Sequence, residues 1–354
     1  MGSKIEWTGK TWNPVTGCDR TSPGCDHCYA LPLAGRLKLM GSTKYQNDGD
    51  PRTSGPGFAV TLHPDSLTDP LRWTHPGRVF VNSMSDMFHP DVSVEFIAQV
   101  FAIMSLAPHL DFQMLTKRTK RMNLILNSPT FAPAVLEWRS RLWEQHMVGR
   151  KHPKPPPAWT GWPIPNVWLG VSIEADNYVF RAEHLRNTPA AIRWISAEPL
   201  LTGLPSLNLD KIDWLVVGGE SGGHARPMHP DWVRDLRDRT TNRYCPHCDT
   251  IRPTRIGLRD KARCTGCDTS LGEPVAFFFK QWGSHSAEPL TDGWQHGDGV
   301  ILLPNGAMCG SLAVVADNER ATAVVVNNLG KHRTGNVLDG ETWQQYPNTH
   351  RGTT

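Results

Sequence analysis

The chain has 354 residues, 39% of them apolar and 20% charged, so it can bury a packed core and is not built for wholesale disorder. Lysine plus arginine outnumber aspartate plus glutamate by only 37 to 34, a balance that neither demands nor excludes a nucleic-acid partner. No apolar run approaches the roughly 18 to 20 residues of a membrane span. The start MGSKIEWTGK lacks a signal-peptide core, and Glu6 stands where a myristoylated Gly2 wants Ser or Thr, so the expectation is a cytoplasmic protein with no membrane association.

Three cysteines come first, in TWNPVTGCDRTSPGCDHCYA from Thr11. FAVTL from Phe58 reads as a further strand, ahead of the stronger run RVFVNSMSD from Arg78. Ser93 to Leu106 carries Val94, Ile97, Ala98, Phe101 and Met104 at helical spacing, with Asp91 or Ser93 as cap. DFQMLTKR from Asp111 is the next strand and residues 131–147 the next helix. Arg150 to Asn166 holds six prolines and reads as a stiff surface loop. VWLGVSIE from Val167, IRWISAEPL from Ile192, DWLVVGGES from Asp213 and VAFFFKQWG from Val275 are strands, with helices at 178–187 and 230–239 between them. The tail adds two β-rich runs, VILLP and ATAVVV. Apolar runs without alternation suit strands buried on both faces, and their alternation with helices predicts an α/β fold, a full or partial parallel (β/α) barrel, with a doubly wound sheet as the alternative.

Seven of the eight cysteines lie in two tight clusters, a distribution that in a reducing compartment favours metal over disulfides. Cys18, Cys25 and Cys28 are spaced C-x6-C-x2-C. Three thiolates can hold three irons of a 4Fe–4S cubane and leave the fourth iron open, which suits chelation by the amino and carboxylate groups of S-adenosyl-L-methionine. Gly17, Pro23 and Gly24 let the loop bend, and Tyr29 can flank an adenine. A zinc site with His27 as fourth ligand is the other reading. Cys245, Cys248, Cys264 and Cys267 are spaced C-x2-C-x15-C-x2-C, the pattern of a zinc ribbon, with Pro246 and Gly266 as turn residues and an auxiliary iron–sulfur cluster as the alternative. His247 is expected to be exposed rather than a ligand. Residues 240–272 then form an inserted zinc ribbon, and 1–239 with 273–354 the main domain. Between Arg234 and Arg263 nine Arg or Lys face four Asp, either a solvated surface or a contact for nucleic acid.

The three-cysteine motif, the polar residues that follow the strands, and the closing FFFKQWG and LDGETW segments resemble a bacteriophage-encoded family assigned to the radical S-adenosylmethionine superfamily, over most of residues 4–347 apart from the ribbon. The superfamily's usual spacing is C-x3-C-x2-C, so the first gap here is three residues longer. The resemblance implies a radical S-adenosylmethionine barrel fed by a one-electron donor of flavodoxin or ferredoxin type, and a methyltransferase-like partner protein, which accompanies relatives. Gly218-Gly219-Glu220 resembles the superfamily's Gly-Gly-Glu motif but follows about the sixth strand instead of the second. Ser83 and Asp86, after the second strand, are therefore expected near the cosubstrate's amino group, with Gly218, Gly219 and Glu220 lining the pocket. Ser172 and Glu174 are expected at its ribose or carboxylate. Lys117, Arg118, Glu198 and Lys280 make a candidate substrate pocket for an anion.

The leading expectation is a radical enzyme that forms a 5′-deoxyadenosyl radical and acts on modified or damaged nucleic acid. Its rivals are a non-enzymatic zinc-dependent nucleic-acid binder and a zinc hydrolase with an open position at Cys18, Cys25 and Cys28.

Overall fold

The computed structural model describes residues 5–149, 154–245, 247–256, 262–271, 274–289, 299–311 and 314–348. The chain divides into two compact units, Met1–Ser172 with Arg181–Arg193, and Ile173–Phe180 with Trp194–Thr354.

The first unit runs β1 (Lys10–Trp12), β2 (Val15–Thr16), α1 (Ala30–Leu39), β3 (Thr61–Leu62), β4 (Gly77–Val81), α2 (Val94–Leu106), β5 (Leu110–Thr116), α3 (Thr119–Leu126), α4 (Phe131–Met147), β6 (Val167–Ser172) and α5 (Phe180–Arg186). Strands β1, β4, β5 and β6 pair in that order, all parallel, with Trp12 beside Val81 and Val81 beside Met114. All six residues of β6 are buried, as its apolar run predicts for a strand covered on both faces. Helix α2 starts where Ser93 accepts the Phe96 N–H, a cap worth about 1 kcal/mol. Ten of its thirteen residues are buried. It packs on α4 through Phe101 and Phe131, whose rings lie 5.4 Å apart.

The proline-rich stretch, described from residue 154 on, has no helix or strand but is anchored. Trp162 packs tilted against Phe101 and edge-on to Phe131, the Trp143 indole donates to Lys154 O, and Arg139 donates to Pro157 O. At its end the Asn166 amide donates to the carbonyls of Met104, Ala107 and Leu110, tying the stretch to the end of α2 and the start of β5. Residues 150–153 lie outside the described residues. FAVTL differs from expectation. Only Thr61–Leu62 is strand, paired antiparallel with β2, while Phe58 packs with Ala30, Ala34, Tyr45 and Met84 under the cysteine loop.

The second unit holds β7 (Ile192–Ala197, its residues from Trp194 on), β8 (Trp214–Gly218), α6 (Pro230–Thr241), β9 (Asn242–Cys245), β10 (Thr250–Ile256), β11 (Ala262–Cys264), β12 (Ala276–Gln281), β13 (His285–Pro289), β14 (Val300–Leu302), β15 (Met308–Cys309) and β16 (Val324–Asn328). Strands β7, β8 and β12 are parallel neighbours. Trp194 and Trp214 meet at 5.2 Å between ring centroids, and Phe278 packs edge-on to Trp214. Strands β9, β10 and β11 make a small antiparallel sheet, and β13, β16, β14 and β15 a second one that contains both predicted tail runs. The fold is therefore mixed α/β, with four parallel strands in the first unit and three in the second. All six strong apolar runs became parallel strands.

Candidate metal centre

Cys18, Cys25 and Cys28 lie on the loop from β2 to α1, which follows the carboxyl end of β1. Gly17 seats this loop. Its N–H donates to Met84 O at 2.9 Å, its φ is +86°, and a Cβ there would stand 2.0 Å from Ala59 O. Ser85 Oγ donates to Val15 O at 2.7 Å, and Asn13 Oδ1 accepts from Ser83 Oγ and Met84 N. The Tyr29 hydroxyl, just past Cys28, donates to Ser83 O at 2.5 Å. Thr53 Oγ1 donates to Asp19 Oδ1, and His89 Nε2 lies 3.0 Å from Asp19 Oδ2, so the residue after Cys18 is tied down as well.

Two cations face the thiols. Arg118, two residues past β5, donates from Nη1 to Cys18 Sγ at 3.2 Å and to Asp86 Oδ2 at 3.3 Å, and from Nη2 to Asp19 O at 3.2 Å. Lys117 acts electrostatically on Cys25 and Cys28. Asp86 is buried, and both its oxygens are taken: Phe88 N and Thr116 Oγ1 donate to Oδ1, and Lys117 N and Arg118 Nη1 to Oδ2. Asp86 thus holds the loop after β5, with two protein donors on each of its oxygens.

The thiols differ in acidity. Burial, then the Asp86 charge, pushes Cys18 up to about 12 even though Arg118 opposes it. Burial also raises Cys28. At Cys25 burial is outweighed by Lys117 and by hydrogen bonds from Thr21 and Ser22, so this thiol ionises below its ordinary range. In metal-free protein near neutral pH, iodoacetamide is therefore expected to label Cys25 first, and peptide mass mapping reads the order. Simultaneous labelling of all three would contradict the asymmetry.

Asn82, the first residue after β4, was not singled out for a role by sequence. It sits at φ +62°, 3% exposed, and neither its Oδ1 nor its Nδ2 meets a partner among the described residues. Leaving a buried amide unsatisfied costs about 1–3 kcal/mol, so a water or another small polar group is expected to meet it. The one available signal was an asparagine, which tolerates positive φ, at a strand end.

In the second unit Cys245, Cys248, Cys264 and Cys267 converge. Cys245 ends β9 and Cys264 ends β11; Cys245 and Cys267 sulfurs are 3.5 Å apart, those of Cys248 and Cys264 3.8 Å. Four sulfurs placed tetrahedrally about one ion at about 2.3 Å stand about 3.8 Å from each other. Sulfurs on different irons of a cubane stand farther apart, so this geometry fits one mononuclear ion. Gly266 N donates to Cys264 Sγ, and Thr269, by its hydroxyl and N–H, holds Cys267 down to about 6. Among the described residues this is the one group of three or more Cys, His, Asp or Glu whose ligand atoms all lie within 4.8 Å. Cys18, Cys25, Cys28 and the exposed His27 are not drawn into such a group. His247 is exposed, and Pro246 lies outside the described residues.

The basic residues between Arg234 and Arg263 are partly committed to ion pairs. Arg234 pairs with Asp231 and Asp339, Arg237 with Asp238 and Asp339, Arg239 with Asp235, and Arg263 with Asp268. The side chains of Arg243, Arg252 and Arg255, and residues Arg259 and Lys261, lie outside the described residues.

The remaining expected site residues are placed as follows. Ser172, ending β6, is buried, and its carbonyl accepts Arg181 Nη1 at 2.8 Å. Glu174 is buried in the second unit, where its carbonyl accepts Leu201 N. Glu198 and Lys280 pair with each other at 2.9 Å, and Ser196 Oγ donates to Glu198. Gly218 ends β8. Gly219 allows two backbones to cross, since a Cβ there would sit 2.0 Å from Trp282 O. Glu220 accepts from Arg226 through N, Nε and Nη2. The Gly-Gly-Glu run is thus occupied by a chain crossing and an ion pair.

A family profile described as protein of unknown function (DUF5131) matches residues 2–248. The chain belongs to this family. The DUF5131 description assigns neither activity nor source. No curated protein matches the sequence. Two solved structures share a likeness with this DUF5131 chain: spore photoproduct lyase complexed with dinucleoside spore photoproduct, and a cysteine-to-alanine mutant of it with the same ligand. Each is 10% identical with a TM-score of 0.31, over 69% of this chain and 64% of the other. The chain therefore spans under two thirds of the length of either. No helix among the described residues is long and apolar enough to cross a membrane.

Proposed function

We propose that the protein is a radical S-adenosylmethionine enzyme on a partial (β/α) barrel, in which Cys18, Cys25 and Cys28 each ligate one iron of a 4Fe–4S cluster. The observation that carries the reading is the set of three thiols on one glycine-seated loop beyond β1, faced by Lys117 and Arg118 from the end of β5. Metal-bound thiolates are anionic, and two neighbouring cations suit them. The beginnings of loops after parallel strands are also where α/β proteins place their chemistry. When bound, the cluster supplies the electron that cleaves S-adenosyl-L-methionine to methionine and a 5′-deoxyadenosyl radical.

The chain's own residues orient and shield. Asn82 offers a donor and an acceptor to the polar end of the cosubstrate, the role that sequence gave to Asp86, and Ser83 with Asn13 holds that strand end in place. Tyr29 is the proposed aromatic beside the adenine. Ser172 and Glu174 remain the proposed ribose and carboxylate contacts, with Glu198, Lys280 and Gly218 to Glu220 as pocket lining. Residues 240–272 form the inserted ribbon, with a structural zinc on Cys245, Cys248, Cys264 and Cys267. An electron donor of flavodoxin or ferredoxin type and a cytoplasmic setting belong to the same reading. The proposed substrate, modified or damaged nucleic acid, and the methyltransferase-like partner rest on the sequence resemblance.

Anaerobic reconstitution tests this. About four irons and one zinc per chain are expected. Dithionite and S-adenosyl-L-methionine should then yield 5′-deoxyadenosine. A colourless protein with two zincs and no iron would favour the nucleic-acid binder. Structural zinc sites contribute on the order of 10–16 kcal/mol of folding free energy. Removing the zinc with a chelator, or by Cys264→Ser, is accordingly expected to open the ribbon to protease while the first unit stays resistant. An equally resistant metal-free ribbon would contradict a structural role.

A further inference from the structure

The Arg118 side chain is 12% exposed and Asp86 8%. Three contacts pin the guanidinium plane: Cys18 Sγ, Asp86 Oδ2 and Asp19 O. Asp86 is itself held by three further donors, of which the Thr116 hydroxyl is the shortest at 2.7 Å. Thr116 Oγ1 also accepts the Arg118 N–H at 2.9 Å, which fixes the backbone from which the guanidinium projects. The result is a buried ion pair whose guanidinium donates directly to the Cys18 sulfur, with Asp86 bonded to the same Nη1 and its charge also acting on the thiol.

We infer that Arg118 is a positioning residue that sets the reduction potential of the cluster at Cys18, with Asp86 and Thr116 holding it in place. The inference rests on the cluster reading given above. A cluster that takes up one electron from an external flavodoxin- or ferredoxin-type donor becomes more negative, and its thiolate sulfurs become stronger acceptors. A charge-assisted N–H···S bond already in place then stabilises the reduced form more than the oxidised one, and the potential rises. No proton moves, because a guanidinium stays protonated. An arginine that merely tied the cysteine loop to β5 would alter stability or iron content and leave the potential of loaded protein unchanged.

The test is an electron-paramagnetic-resonance redox titration of full-length, reconstituted protein without S-adenosyl-L-methionine, comparing wild type, Arg118→Gln and Arg118→Lys at matched iron content. Arg118→Gln is expected to lower the reduced-to-oxidised ratio at a fixed potential about tenfold, a shift of about 59 mV for a one-electron couple. Arg118→Lys, which keeps the charge and loses the fork, should fall between. Unchanged potentials in both overturn the inference. Should Arg118→Gln fail to fold or load, wild type grown with guanidino-15N arginine decides: pulsed resonance of the reduced cluster should detect a weakly coupled arginine nitrogen, and its absence overturns the inference. A wild-type protein that assembles no iron–sulfur cluster fails earlier and visibly, at the functional reading itself.

Discussion

Alanine at Cys18, Cys25 or Cys28 is expected to abolish 5′-deoxyadenosine formation and to strip most of the iron, while the ribbon keeps its zinc. Changing a residue that merely orients a metal ligand costs about 10–100-fold in affinity or activity, and losing one of three ligands exceeds that. The control is built in, because the two cysteine sets lie in separate compact units. Iron and zinc analysis of each variant checks it. A Cys25→Ala protein that kept its full iron and its activity would remove that thiol from the site.

Gly17→Ala is expected to destabilise the metal-free protein by about 2–5 kcal/mol, from about 1–2 for a left-handed backbone and 1–3 for overpacking. The added methyl would meet backbone, Ala59 O at 2.0 Å and Phe58 O at 2.7 Å, and backbone cannot rotate away as a side chain can. Gly41→Ala is the comparison. Its φ is +75° with nothing within 4 Å of the new Cβ, so strain alone remains and the loss should stay near the lower figure. Denaturant unfolding of both variants measures the difference. Equal losses would mean that crowding against Ala59 is relieved at no cost.

Much of the fold could be read because its strands are apolar on both faces. WLVVG at β8 and VWLGVS at β6 need no partner to be recognised, and a serine cap marked α2. The misses have local causes. β1, presupposed by counting Arg78's run as the second strand, is only three residues long and shows no pattern of its own, and α1 carries Pro32 and Gly35 directly after a cysteine motif. α3 follows a basic pair, Lys117 and Arg118, expected to serve a substrate anion, yet Arg118 turns to Cys18. The convergence of the four later cysteines was legible because two C-x2-C pairs specify a tetrahedron almost by spacing alone. The first centre was legible only as a cysteine set. That Asp86 is saturated, Arg118 pinned and Asn82 unpartnered follows from contacts across the chain, which no local pattern records.

Those contacts also order events in time. The three cysteines are neighbours in sequence, but the frame that seats them is not: Asp19 reaches His89 seventy residues away, and Cys18 meets Arg118 one hundred residues away. Closing such separations is slow relative to helix formation. A growing chain that has emerged only through α1 carries three reactive thiols with no strand end to hold them. The Arg118 contact to Cys18 can form only after β5 has joined the sheet, so on the proposed cluster reading the site would be completed late in folding.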